Sequence, residues 1–202
     1  MNQRQYAPAT QRNRQPIWEV LSRILPPEGD ILEISSGTGE HSVFFAPNIA
    51  PRLWIPSDPN PQARDSIIAW KQDLQVENLA LPLDIDVTVS EWYKTLKLEI
   101  KTIVNINMIH IAPWQACIGL MAGAGTLLSS GGILYLYGPF KQAGDHTALS
   151  NVEFDRSLQS RNPEWGVRNL EDVLEVAANN NLQLQEIVTM PANNLSVILV
   201  RN

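Results

Sequence analysis

The chain has 202 residues, 44% of them hydrophobic and 18% charged, a balance that supports a sizeable core and excludes a disordered segment. Its net charge of −6, from 15 Lys+Arg against 21 Asp+Glu, leaves no electrostatic footprint for a phosphate backbone. A lone Cys117 excludes an intrachain disulfide framework and a cysteine zinc site, and His41, His110 and His146 lie too far apart in sequence for metal-ligand spacing, so no metal is expected.

The N-terminus shows no apolar run of the kind a secretory signal needs, and no stretch approaches the roughly 20 apolar residues of a spanning helix. The expectation is a cytoplasmic protein with no membrane or nucleic-acid partner, of open oligomeric state, acting on a small molecule. Residues 1–15 are polar and read as an arm. Pro16 then opens a helix whose apolar positions Ile17, Val20, Leu21, Ile24 and Leu25 follow helical spacing. Ile31 to Ile34 reads as a buried strand entering the turn Ser35-Ser36-Gly37-Thr38-Gly39, followed by a helix from His41 to Ala46.

The alternation continues along the chain. Strands are predicted at Leu53–Ile55, Leu79–Val87, Thr102–Met108 and Ile133–Tyr137. Helices are predicted at Ala63–Gln72, Ser90–Leu98 and Trp114–Leu128. Residues 138–168 include a long polar stretch of low periodicity, read as a substrate lid, a capping helix from the helical spacing of Val152, Asp155, Leu158 and Gln159, or both, inserted before a helix that Asn169 N-caps. Two last strands, Leu182–Thr189 and Leu195–Val200, are joined so closely that they must pair antiparallel. Strand–helix alternation of this kind makes a doubly wound α/β sheet, taken as one domain over 1–202.

In such sheets the ligand lies at the carboxyl ends of the strands, which is where Glu33, Ser35, Gly37 and Gly39 fall. Asp58 ends the second strand about twenty positions after the loop, the spacing of a ribose-binding carboxylate. A nicotinamide dinucleotide fits poorly, because Ser42 stands where the third glycine belongs and Glu40 sits where a phosphate would rest. The phosphate-free, cationic S-adenosylmethionine suits these acids better, and an ordinary tight turn without ligand is the third alternative. Asp84 and Asp86 end the third strand, either being able to accept from an adenine amino group.

With these residues in place the chain resembles a known family. It is similar to the class I S-adenosylmethionine-dependent methyltransferases of the group that contains methyltransferase-like protein twenty-six and its bacterial relatives. The resemblance is carried by RQYAPATQRNRQPI (4–17), ILEISSGTGEHSV (31–43), Ser57-Asp58-Pro59, PLDIDV (82–87), NMIHIAPW (107–114), Tyr137-Gly138-Pro139-Phe140, SNVEFDRSLQSRNPEWGVR (150–168) and MPANN (190–194). It implies a Rossmann-like seven-stranded sheet of order 3-2-1-4-5-7-6 and favours Asp86 over Asp84 as the adenine-side acid. It supplies no substrate. Ser35 departs from the general methyltransferase pattern, which has glycine there.

The remaining expectations concern the acceptor. Asn107, at the end of the fourth strand, orients acceptor or cofactor through its amide, and His110 is the candidate general base because its pKa lies near neutrality. Trp114 is an aromatic wall; Asn151, Arg156 and Trp165 belong to the lid; Tyr6, Arg12 and Asn13 belong to the arm. Together they predict an enclosed pocket. The expected activity is methyl transfer to a small molecule; the alternatives are a cofactor-binding regulatory protein without turnover and a nicotinamide-dependent oxidoreductase.

Overall fold

The computed structural model describes residues 3–97 and 99–202. The chain divides into two compact units, Met1–Asp86 with Lys97–Val104, and Val87–Leu96 with Asn105–Asn202.

The first unit opens with helix α1 (Pro8–Ile24). It starts eight residues earlier than the expected helix start at Pro16, so Arg12 and Asn13 are helical and only residues before Pro8 form an arm. Pro8 takes the first-turn place where a missing N–H costs nothing. Pro16 is absorbed inside the helix, because buried Thr10 continues the face of Ile17, Val20 and Leu21 on its other side. Strand β1 (Asp30–Ile34) leads through residues 35–39 into the short helix α2 (Glu40–Phe45). Strand β2 (Trp54–Pro56) pairs parallel with β1, Ile31 opposite Trp54 and Glu33 opposite Pro56. Helix α3 (Pro61–Leu74) follows, capped by the Asn60 side chain, which accepts from the Gln62 N–H at 2.9 Å. Phe45 forms the centre of this unit's core, ringed by Trp18, His41 and Trp54 at centroid distances of 6.1, 5.5 and 5.2 Å.

The strand expected over Leu79–Val87 is reduced to two isolated parallel bridges, Trp54 with Leu79 and Ser57 with Leu83. Proline supplies no N–H to a ladder, and one stands on each side, Pro56 in β2 and Pro82 in the edge segment. Leu81 is 65% exposed, so the alternating burial that Leu79, Ile85 and Val87 would continue is broken in the middle of the segment. Strand β3 (Ile100–Ile106) ends the first unit's share of the sheet and begins the second's.

In the second unit the helix expected over Ser90–Leu98 is a single 3₁₀ turn, Trp92–Thr95, and its last residue, Leu98, lies outside the described residues. Helix α4 (Trp114–Leu127) is followed by strand β4 (Ile133–Gly138), buried along its whole length. The polar insertion contains more regular structure than its periodicity suggests. Strands β5 (Phe140–Gln142), β6 (Asp145–His146) and β7 (Arg168–Asn169) form a small separate sheet of order β6-β5-β7. Helix α5 (Leu149–Arg161) spans the space between β6 and β7. Helix α6 (Leu170–Ala178) starts just after Asn169 as expected, but the Asn169 side-chain Oδ1 accepts from the Gly144 N–H at 3.1 Å instead of capping the helix.

Strands β8 (Leu182–Met190) and β9 (Asn194–Arg201) form the expected antiparallel hairpin, and β9 also pairs antiparallel with β4. The fold is thus mixed α/β, with a main sheet of six strands in the order β2-β1-β3-β4-β9-β8. The expected seven-strand order survives except for its outermost member, the edge segment with only two bridges. No helix among the described residues is long and apolar enough to cross a membrane.

Two glycines of α4 make room for the segment 87–92, Gly119 for its backbone and Gly123 for Trp92. A Cβ on Gly119 would lie 1.8 Å from the Val87 carbonyl oxygen, and one on Gly123 would lie 2.0 Å from the Trp92 ring. The Trp92 indole N–H donates to the Gly119 carbonyl at 2.9 Å. Replacing a helical glycine by alanine ordinarily stabilises by about 0.5–1 kcal/mol. Gly119→Ala is expected to do the opposite, lowering stability by about 1–3 kcal/mol in urea denaturation, because a backbone carbonyl must move aside.

Candidate functional site

The carboxyl ends of β1 and β2 are tied together by hydroxyls. The Ser57 hydroxyl donates to the Glu33 carbonyl at 2.7 Å, the Ser36 hydroxyl accepts from the Ser57 N–H at 3.2 Å, and the Ser36 N–H donates to the Ser57 carbonyl at 2.8 Å. Between these ties and α2 the backbone makes a tight turn, with Ser35, Gly37 and Gly39 at φ of 57°, 56° and 85°. Left-handed backbone suits glycine and costs serine about 1–2 kcal/mol, so Ser35 occupies a conformation better suited to the glycine of the general pattern.

The two loop glycines differ in purpose. A Cβ on Gly39 would fall 2.8 Å from Ile67 Cγ1 and 3.0 Å from its Cα, so this glycine lets α3 pack against the turn. A Cβ on Gly37 would meet nothing within 4 Å. Gly37 therefore presents its backbone to open space, as a loop that admits a ligand must. Its N–H donates to Asp58 Oδ2 at 2.9 Å, and Asp58 Oδ1 accepts from the Asn60 N–H at 2.9 Å. Asp58 is 7% exposed, and each carboxylate oxygen retains lone-pair capacity beyond the one bond it accepts.

The three acids expected in a row have separate environments. Glu33 is inside the unit: its Oε2 accepts from the Ser42 hydroxyl at 2.5 Å and from the Trp54 indole N–H at 2.8 Å. Burial raises its pKa, against the lowering effect of those hydrogen bonds. Asp58 lies at the loop. Asp86 is exposed beyond the edge segment. Asp84, the position not favoured, forms an ion pair with Arg64 at 3.0 Å, and Arg64 also donates to the Asp58 carbonyl at 2.8 Å.

The arm docks beside the loop through residues that the sequence motifs did not single out. Glu40 Oε2 accepts from the Ala7 N–H at 2.5 Å and from the Thr38 hydroxyl at 3.1 Å. The Ser66 hydroxyl accepts from the Gln5 N–H and donates to the Thr38 carbonyl, both at 2.8 Å. The Trp70 indole N–H donates to the Gln5 carbonyl at 3.0 Å, with Tyr6 edge-on to the indole at 5.1 Å and Arg4 over it at 4.8 Å. Tyr6 thus rests on α3. Asn13 Oδ1 accepts from His41 Nε2 at 2.8 Å, and Arg12 is exposed. The periodicity of α3 offered a signal for Trp70, and Glu40 stood out as an acid beside the turn but not as the arm's anchor; Ser66 had no signal.

In the second unit Asn107 adopts φ 63° at the start of a 3₁₀ turn, Met108–His110. His110 is wholly buried, and its pKa is lowered to about 3, by burial first and by the Arg168 charge second. Its carbonyl accepts from the Gly166 N–H at 2.9 Å and its Nδ1 from the Arg168 N–H at 3.4 Å, while Phe140 lies edge-on at 4.9 Å. Its Nε2 is enclosed without a hydrogen-bond partner. A Cβ on Gly138 would lie 2.5 Å from this nitrogen and 3.0 Å from Asn107 Oδ1, which explains the glycine at that position. These contacts are those of a brace. A base role would require Nε2 to be reached by an acceptor.

Arg168, quoted in a sequence block but given no role there, holds the same loop. It donates to the carbonyls of Ile109 (2.9 Å), Ala112 (2.6 Å) and Glu164 (2.8 Å) and lies over the Trp114 ring at 5.6 Å. Of the lid residues, Asn151 is buried and donates to the Asn193 carbonyl at 3.0 Å and to the Thr147 hydroxyl at 3.1 Å. It therefore fastens α5 to the β8–β9 turn. Arg156 is exposed, and Trp165 lies under Arg161 at 5.6 Å.

The family model described as "Protein of unknown function (DUF938)" matches residues 4–201. The chain belongs to the DUF938 family. Solved structures of methyltransferases share the fold of this DUF938 chain at low identity. An O-methyltransferase family protein from Burkholderia thailandensis is 12% identical with a TM-score of 0.81, over 96% of this chain and 57% of its own. Magnesium protoporphyrin IX methyltransferase from Synechocystis PCC 6803, with bound SAH, is 13% identical with a TM-score of 0.71, over 95% of this chain and 83% of its own. An O-methyltransferase family 2 protein from Planctomyces limnophilus, in complex with apigenin, is 15% identical with a TM-score of 0.75, over 96% of this chain and 61% of its own. The DUF938 chain thus spans little more than half the length of several of these neighbours, such as the 57% of the first.

The loop geometry separates the two glycines experimentally. Gly39→Ala is expected to lose about 1–3 kcal/mol more stability than Gly37→Ala in urea unfolding, since only the former meets packed atoms. Glu33 generates a pH dependence. Its folded pKa lies above the ordinary value of 4.5, so the stability it contributes is full below that value and is lost as pH rises through the raised pKa. Glu33→Gln is expected to flatten this loss when unfolding free energies are measured from acid to neutral pH.

Proposed function

We propose that this chain transfers a methyl group from S-adenosylmethionine to a small-molecule acceptor. The observation that carries the reading is the Gly37–Asp58 pair: a left-handed glycine facing open space, its N–H held by a buried carboxylate with capacity to spare. A ligand with a ribose and no phosphate suits that pair, and the methyltransferase fold of the structural neighbours supports it. When bound, S-adenosylmethionine supplies an electrophilic methyl group on a sulfonium.

The chain's own residues then have distinct tasks. Asp58 accepts from ribose hydroxyls, Gly37 lets the backbone approach closely, and Gly39 keeps the turn seated on α3. Asp86 serves the adenine side, and Ser35 shapes the turn. Glu33 acts from inside, holding α2 and β2 at the spacing that the turn requires, and a protonated, hydrogen-bonded carboxyl suffices for that. Asn107 orients cofactor or acceptor, and His110 positions the Asn107 loop against residues 166–168. Holding the reactants in near-attack geometry is worth about 7–11 kcal/mol, so the reaction needs no base when the acceptor is already deprotonated at neutral pH. Tyr6, Arg12 and Asn13 in one unit and Trp114, Asn151, Arg156 and Trp165 in the other are the residues we assign to acceptor selection or its support.

Isothermal titration tests the reading. S-adenosylmethionine is expected to bind one to one and NADH not to bind. Asp58→Ala should weaken S-adenosylmethionine binding at least tenfold, about 1.4 kcal/mol. Tighter binding of NADH, or undiminished binding by Asp58→Ala, overturns it.

A further inference from the structure

The second unit contains a cavity of about 380 Å³ lined by Trp114, Lys141, Val167, Arg168, Asn169 and Asp172. That volume lies within the range of small-molecule sites. The charges around it are unequally satisfied. Lys141 is paired with Asp155, Nζ to Oδ2 at 3.1 Å, and Asp155 also takes His146 Nε2 at 3.1 Å. Asp172 is exposed and accepts from the Asn169 amide at 3.3 Å, so water stabilises its charge.

Arg168 differs from both. It is half-buried, and its Nε and Nη2 donate to three neutral carbonyls. Among the described residues no carboxylate forms an ion pair with it. Burial lowers its pKa, the more distant charges of Cys117 and Asp155 offsetting only part of the lost hydration. A partly desolvated guanidinium lining a cavity is a strong attractor for an anion, because charge-assisted hydrogen bonds gain most where water is scarce. Trp114 lies against that guanidinium at 5.6 Å and adds a flat apolar wall to the same cavity, with Val167 supplying a further apolar contact.

We propose that this cavity is a binding site for a small aromatic carboxylate. The carboxylate meets Arg168 Nη1 and the Lys141 ammonium, and the ring lies against Trp114. The site is formed wholly within the second unit; it shares Trp114 with the residues assigned above to acceptor selection, and its test measures binding without any methyl transfer. Neutral carbonyls fix Arg168 in place beforehand, so binding an anion orders little that is not already ordered.

Calorimetric titration of the full chain with benzoate, benzylamine and inorganic phosphate tests the proposal, with thermal melting as the check that each variant is folded. Benzoate is expected to bind one to one, at least tenfold tighter than phosphate, and benzylamine to give no binding heat. Trp114→Leu should weaken benzoate at least tenfold while leaving phosphate unchanged, and Lys141→Gln should weaken both anions. Equal binding of benzylamine and benzoate would remove the charge argument. Phosphate tighter than benzoate would remove the aromatic one. Benzoate affinity unchanged in folded Trp114→Leu and Lys141→Gln proteins overturns the site itself.

Discussion

One buried carboxyl holds the glycine turn in shape. Glu33 accepts from a helix on one side, through Ser42, and from the neighbouring strand on the other, through Trp54. Its own carbonyl receives the Ser57 hydroxyl. β1, α2 and β2 therefore cannot shift separately, and the five residues of the turn must close a gap of set width. That constraint makes three positive φ values tolerable within five residues, one of them at a serine. Asp58 then locks the result by taking the Gly37 N–H. Polar groups placed inside an apolar unit are costly unless every one is answered, and here each answers another.

The second unit applies the same principle with a cation and an imidazole. His110 and Arg168 connect residues 107–112 to residues 164–168 by three bonds to backbone atoms: Gly166 N–H to the His110 carbonyl, and the Arg168 guanidinium to the carbonyls of Ile109 and Ala112. A loop held by backbone acceptors is insensitive to which side chains it displays. Its shape can persist while Trp114 or its neighbours change.

Regular apolar periodicity was legible in the sequence, and so were most elements that depend on it. β1, α2, α3, α4, β4 and the β8–β9 hairpin lie within a few residues of where spacing puts them. The failures share a cause: proline and polar composition report local preference, and long-range contacts override it. Pro16 reads as a helix start yet lies inside α1, because burial of Thr10 outweighs one lost hydrogen bond. Within residues 138–168 the spacing of Val152, Asp155, Leu158 and Gln159 marks α5, but the small sheet escapes, since two- and three-residue strands carry no periodic signal. Within the site, Gly37 and Asp58 were visible as a motif at the right separation. The direction in which Glu33 works was not, because an acid in a strand looks the same whether it meets a ligand or a tryptophan. Arg168 escaped notice as a functional residue for a similar reason: the absence of an acid beside it is a property of three dimensions.

The interrupted edge segment next to β2 has a consequence for how the protein behaves in company. A long unpaired strand at a sheet margin is a template onto which another chain can add. Here the outer segment makes only two bridges with β2, and Pro82 stands between them. The Lys71 ammonium occupies carbonyls along the approach, those of Val76 at 3.0 Å and Glu77 at 3.3 Å as well as Leu79. Pro82 offers no N–H at that margin, and the Lys71 ammonium already takes the carbonyl at the segment's start. The irregularity that removes the seventh strand thus serves as a stop against uncontrolled sheet extension.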